Sequence, residues 1–170
     1  MNLWRQASMK FFQQVMTASI IILVLAGCNG QSAIPEGFYS YDKDEVEKAM
    51  ENLEFTAELP SYVPIAAEIL VTDRFYLEEL DNEAFDITMF TKANDIFTIQ
   101  LINGEDYQEE SDFKTISISD SMEGYYQDHP YSQTLYWEKE GITYQMIYRP
   151  SEESLSEEEL VQVAKSFQSS

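Results

Sequence analysis

The chain has 170 residues, with 31 acidic side chains against 10 basic ones and a net charge of −21 at pH 7. A field of that sign repels phosphate backbones and anionic headgroups, which excludes nucleic acid as a partner and a folded body lying flat on an anionic membrane. Aromatic residues make up 14% of the chain and recur in alternating runs, so a folded domain is expected despite the charge, and the single cysteine leaves no intramolecular disulfide.

The chain opens on a targeting segment. Arg5 and Lys10 give a positive start, and the apolar part from Val15 to Ala26 is 12 residues long. That length suits a signal-peptide core and falls short of the ~20 residues that span a bilayer. It ends at Leu25-Ala26-Gly27-Cys28, which resembles the lipobox of bacterial lipoprotein precursors. Small residues at Ala26 and Gly27 let an extended backbone enter a peptidase groove, and the cysteine that follows carries the thiol that takes the diacylglyceryl group. The competing reading is a transmembrane anchor with an incidental cysteine. Motif, spacing and the only cysteine of the chain coincide against it. Residues 1–27 are therefore expected to be a signal peptide, Cys28 the lipidated residue, and 28–37 a polar tether reaching about 30 Å when extended. Two acyl chains, at ~0.8 kcal/mol per buried CH₂, hold such a protein stably where one holds it only marginally. All 31 acidic residues but only 8 basic ones follow Cys28, so the processed chain carries −23.

Residues 38–170 read as one α+β domain. Asp42 is placed as N-cap of a short helix, with Glu45 as its capping-box partner and Tyr41 and Val46 as a hydrophobic staple. Val46, Ala49, Met50 and Leu53 follow with the spacing of one helical face. Pro60 and Pro64 force extended backbone after it. Period-two runs then predict about five antiparallel strands: Ile69, Val71 and Phe75; Phe85, Ile87 and Met89; Ile96 to Ile102; Ile116 and Ile118; and Leu135 and Trp137 paired with Ile142, Tyr144, Met146 and Tyr148. Asn103-Gly104 is a turn signal, and Glu138-Lys139-Glu140-Gly141 marks the clearest hairpin. Ser156, with Glu159 three residues on, opens a closing helix. Leu155 and Leu160 take its staple positions, and Leu160, Val163, Ala164 and Phe167 form its apolar stripe. An antiparallel sheet with a short N-terminal and a C-terminal helix packed on one face is the expected fold.

Three segments together resemble a known family. They are Leu59-Pro60-Ser61-Tyr62-Val63-Pro64, the hairpin Leu135 to Tyr144 with its Trp137, and the terminal segment Ser156 to Phe167. The family is a domain of unknown function found in Gram-positive lipoproteins and in the extracytoplasmic parts of anti-sigma and sporulation-associated membrane proteins. Its fold is similar to parts of the lipoprotein-carrier type of sheet-and-helix protein. Family members commonly carry glycine after the second proline, where this chain has Ile65-Ala66-Ala67. The resemblance implies a binding or regulatory role and brings no catalytic residues with it.

The residues that could carry chemistry are few. A nucleophile needs an adjacent base, and the chain offers one histidine, His129, in a polar stretch, and a cysteine taken up by lipid. That pair cannot assemble a zinc site. Glu105, Asp106, Glu109, Glu110 and Asp112 offer oxygen ligands for Ca²⁺, but their spacing is not that of an EF-hand loop, and a solvated charge run is the simpler reading. No pair among the carboxylates stands out for glycoside hydrolysis. Tyr125, Tyr126, Tyr131, Tyr136, Trp137, Tyr144 and Tyr148 fit sheet packing first and a partner-gripping face second. The expected function is therefore a non-enzymatic, lipid-anchored protein on the extracytoplasmic face of the cell membrane, without cofactor or metal, binding a protein partner in envelope sensing or regulation. The alternative is a carrier of an apolar small ligand. The carrier needs a cavity between sheet and helix, whereas the protein binder needs a filled core and an exposed patch.

Overall fold

A computed structural model describes residues 33–77, 82–104 and 113–168, and every element below belongs to the unit Ile34–Ser170. Cys28, the signal peptide and the acidic residues 105–112 lie outside the described residues. The elements run α1 (Lys43–Met50), β1 (Leu59–Pro60), β2 (Ile69–Leu77), β3 (Asn82–Phe90), β4 (Ile96–Asn103), β5 (Lys114–Ser119), β6 (Met122–His129), β7 (Ser132–Lys139), β8 (Ile142–Arg149), α2 (Glu157–Lys165) and β9 (Phe167–Gln168). No helix among the described residues is long and apolar enough to cross a membrane.

Seven of these strands form one antiparallel sheet in the order β2-β3-β4-β8-β7-β6-β5, and β1 pairs with β9 in a ladder of its own. The α+β class is as expected, but the sheet has seven strands rather than about five. The strand hidden from the sequence is β6, Met-Glu-Gly-Tyr-Tyr-Gln-Asp-His, which lacks alternating aliphatic residues and holds a glycine. Gly124 is required there by close approach: a Cβ would sit 2.7 Å from Ile118 Cδ1 and 3.1 Å from the Tyr136 carbonyl oxygen. Asn103-Gly104 is a second correction. It closes no hairpin, because β4 pairs with β8 and the Gly104 amide donates to the Gly141 carbonyl at 3.0 Å. The hairpin at Glu140-Gly141 does form, both residues having positive φ (54° and 78°), the backbone that a tight two-residue turn demands.

Pairing register sorts the side chains. Ile87, Ile99, Met146 and Leu135 form one row across four strands, and Phe85, Leu101, Tyr144 and Trp137 the next. Both rows are buried and face the helices. Val46 of α1 and Leu160, Val163 and Ala164 of α2 join the same apolar cluster, each such side chain contributing roughly 1.5–3 kcal/mol by leaving water. The opposite face carries the row Asp73, Asp86, Gln100, Gln145, Tyr136 and Tyr125.

The cap of α2 is as expected, whereas that of α1 shows only the Asp42 half of the expected box. Asp42 accepts the Glu45 amide at 3.0 Å, and Ser156 and Glu159 form the full reciprocal box. Two stripe residues fall outside their helices. Leu53 follows the end of α1, and Phe167 belongs to β9, where it stands edge-on to Trp137 and Tyr144 at 5.0 and 5.5 Å. Around it, Ser61 of the Pro60–Pro64 segment donates twice to the Ser166 carbonyl, from its amide at 3.1 Å and from its hydroxyl at 3.0 Å. This seam holds the segment after α1 against the end of α2.

Candidate functional site

At the end of the sheet where β3 turns into β4, a cleft of about 550 Å³ opens between that turn, residues 64–68 and the link from β8 to α2. The turn is built locally. Asn94 takes the left-handed conformation (φ 70°), the Thr91 amide donates to the Asp95 carbonyl at 3.1 Å, and the Thr91 hydroxyl donates to Asp95 Oδ2 at 2.9 Å. Asp95 Oδ1 then reaches across to the β8–α2 link and accepts from the Ser151 amide at 2.8 Å and its hydroxyl at 2.7 Å. The Ser151 amide, ahead of the hydroxyls, holds the Asp95 carboxyl below the usual carboxylate range.

Tyr148 lies beside this carboxylate. Burial first, and the negative charge of Asp95 second, push its phenol up to about 12, so it remains a neutral donor, giving its proton to the Glu153 carbonyl at 3.2 Å. The link itself is clamped from the other side by buried Gln133, which accepts the Leu155 amide at 2.9 Å and donates to the Leu155 carbonyl at 2.6 Å. Glu68, Glu152, Glu153 and Glu159 join Asp95 in lining the cleft. Among the described residues, the only lysine or arginine in the lining is Lys92, held by Glu68 at 2.6 Å.

These acids are largely committed to structure. Asp95 is occupied by three donors and Glu159 by its cap, and a carboxyl held below its usual range is a poor proton acceptor. What the cleft offers is an anionic recess sized for a cationic or hydrogen-bonding group. Among the described residues, no three His, Cys, Asp or Glu side chains converge to hold a metal ion.

The residues singled out in the sequence do not converge. His129 is exposed at the end of β6, opposite Ser132. The aromatics divide between the two faces of the sheet. Trp137 and Tyr144 stack in the core at 5.2 Å and 5°, while Tyr125 and Tyr136 stack on the opposite face at 4.9 Å, with Phe113 edge-on to Tyr136. Tyr131 lies at a turn, 85% exposed. The Thr91–Asp95–Ser151 bridge was not visible beforehand. Its only local signal is Asn94 in a polar turn, and Ser151 lies 56 residues from Asp95. The chain matches no known protein family, and comparison with curated proteins and with solved structures gives no match. The family resemblance thus rests on its three segments alone.

Proposed function

We propose that this chain is a membrane-anchored extracytoplasmic lipoprotein, lipidated at Cys28, that acts without catalysis by binding a protein partner in envelope sensing or regulation. The anchor rests on Leu25-Ala26-Gly27-Cys28. The observation that carries the choice of a protein partner is the packing between sheet and α2. Trp137, Tyr144 and Phe167 lie 5.0–5.5 Å apart there, in stacked and edge-on contacts that occupy the space an apolar cargo would need. The alternative, an apolar-ligand carrier, retains one favourable observation. A recess of about 350 Å³ at the end of α1 is lined by Met50, Leu53, Phe55 and Ala57, but Glu47 and Glu51 share it.

One pair of measurements tests both parts. Cells fed labelled palmitate should label the wild-type chain and not Cys28→Ala, which should accumulate as precursor or be shed to the medium. Normal membrane retention of that variant would end the anchor assignment. Native mass spectrometry of the protein extracted in mild detergent should show no co-purifying lipid beyond the covalent anchor. A stoichiometric apolar ligand lost on Met50→Glu would move the function to the carrier.

A further inference from the structure

We infer that the outer edge of β2 is a docking strand to which a basic, extended segment of a partner protein adds as an antiparallel eighth strand. This deepens the partner-binding reading above and rests on it.

The two edges of the sheet are built differently. β5 has six residues, its register shifts between Ser117 and Ser119, and Lys114 is tied to Glu157 of α2 at 2.7 Å. Such devices keep an edge from recruiting another strand. Among the described residues, β2 is neither short nor bulged nor tied to a helix, and its ion pair, Arg74 with Glu83, runs inward to β3 and leaves the outer edge open. The strand runs nine residues, Ile69 to Leu77, in unbroken register with β3, contains neither proline nor glycine, and among the described residues has no strand on its other side. Ile69, Val71 and Tyr76 are 59%, 50% and 52% exposed.

Charge selects the occupant. Asp73 pairs directly with Asp86 across β2 and β3, an arrangement that destabilises a sheet. Among the described residues neither has an ion-pair partner. The nearest cation in sequence, Arg74, points to the other face, where its guanidinium is bound to Glu83 and lies over the Tyr76 ring. A lysine or arginine opposite Asp73 on an added strand would meet both carboxylates, with apolar partners opposite Val71 and Ile69 on the same face. A second copy of the chain cannot supply it. In two-fold antiparallel self-pairing, residues opposite one another share a face, so Asp73 would meet Ile69, Val71, Asp73, Phe75 or Leu77. A net charge of −21 also opposes self-association.

The test uses the full lipidated chain in neutral phosphatidylcholine vesicles and fluorescent nine-residue peptides of alternating valine and threonine. One has a central lysine, a second a central glutamate, and a third is the lysine peptide N-methylated along one edge so that it cannot pair. The lysine peptide should bind about ten-fold more tightly than its glutamate twin, the scale of reversing one cross-strand charge pair. The gap should shrink below about two-fold in Asp73→Asn, and the N-methylated peptide should not bind. Equal affinities for the first two peptides, binding of the third, or a lysine preference that survives Asp73→Asn would each overturn the inference. In cells, a photo-cross-linker moved through the exposed positions should give a partner adduct from Val71. Adducts from Tyr131 or other positions alone would overturn the edge while leaving partner binding intact. A self-adduct through Val71 would replace the partner strand with a second copy. No adduct at any position would overturn partner binding itself.

Discussion

Asp95 accepts three hydrogen bonds, from the Ser151 amide and from the Ser151 and Thr91 hydroxyls, whereas Asp86 faces Asp73 with one, from Gln100 Nε2 at 2.9 Å. Their linkage to pH has opposite sign. The folded pKa of Asp95 is lowered, so its stabilising share is complete above the unfolded value of about 4 and is lost as pH falls below it. Asp95→Asn should cost about 1 kcal/mol at pH 7, the low end for hydrogen bonds to a charge because the site is open to solvent, and the difference should vanish near pH 2. Burial first, and Asp73 as a further contribution, raise the folded pKa of Asp86. Its share of stability is therefore present below about pH 4 and lost as pH rises through the raised value. Asp86→Asn keeps an acceptor for Gln100 and should raise stability at neutral pH by up to about 1 kcal/mol, with no gain at pH 3. Urea titrations at pH 7 and pH 2 for Asp95→Asn, and at pH 7 and pH 3 for Asp86→Asn, measure the two effects. An equal gain at pH 3 would mean that relief of charge is not the cause.

At the scale of elements, local chemistry made some of the fold readable and left the rest obscure. The cap at Ser156 and the Glu140-Gly141 turn are each written within four residues, and both formed as expected. Ser156→Ala should cost about 1 kcal/mol by leaving the Glu159 amide of α2 without its side-chain acceptor. β6 was not readable, because its place in the sheet comes from neighbours rather than from its own alternation. Tyr125 and Tyr126 pair with Tyr136 and Leu135 of β7, and Gly124 leaves the room that Ile118 and Leu135 fill. Gly124→Ala should cost about 1–3 kcal/mol by overpacking, unless Ile118 can turn aside. Phe167 shows the reverse case. Helical spacing assigned it to α2 and strand pairing claims it for β9, yet either way the ring is buried. Phe167→Ala should cost about 3–5 kcal/mol, and thermal melts that show under 1 kcal/mol would mean that the helix is loosely docked. The candidate cleft was legible only in its pieces, since the polar turn and the β8–α2 link meet through a contact that no sequence period encodes.

For the whole molecule, charge is the most lopsided property. Carboxylates at this density repel one another within a Debye length of ~10 Å at 0.1 M salt. NaCl should therefore raise the melting temperature, and CaCl₂ at matched ionic strength should raise it no further. A calcium-specific increment would make the 105–112 acids a metal site rather than a solvated run. The strand order has a separate consequence, for how the molecule comes to be folded. β2 to β4 form one meander and β5 to β8 another, each joining neighbours in sequence, and the two meet only where β4 pairs with β8. Short loops close early because little chain entropy is lost, whereas Asn103 must find Ile142 across β5, β6 and β7. The seam between β4 and β8 is thus expected to form after both meanders. Substitutions such as Ile99→Val, whose partner across that seam is Met146, should then speed unfolding far more than they slow refolding. Until that seam closes, β4 and β8 each present an open strand edge, so the half-folded chain is the species most exposed to mispairing with its own copies.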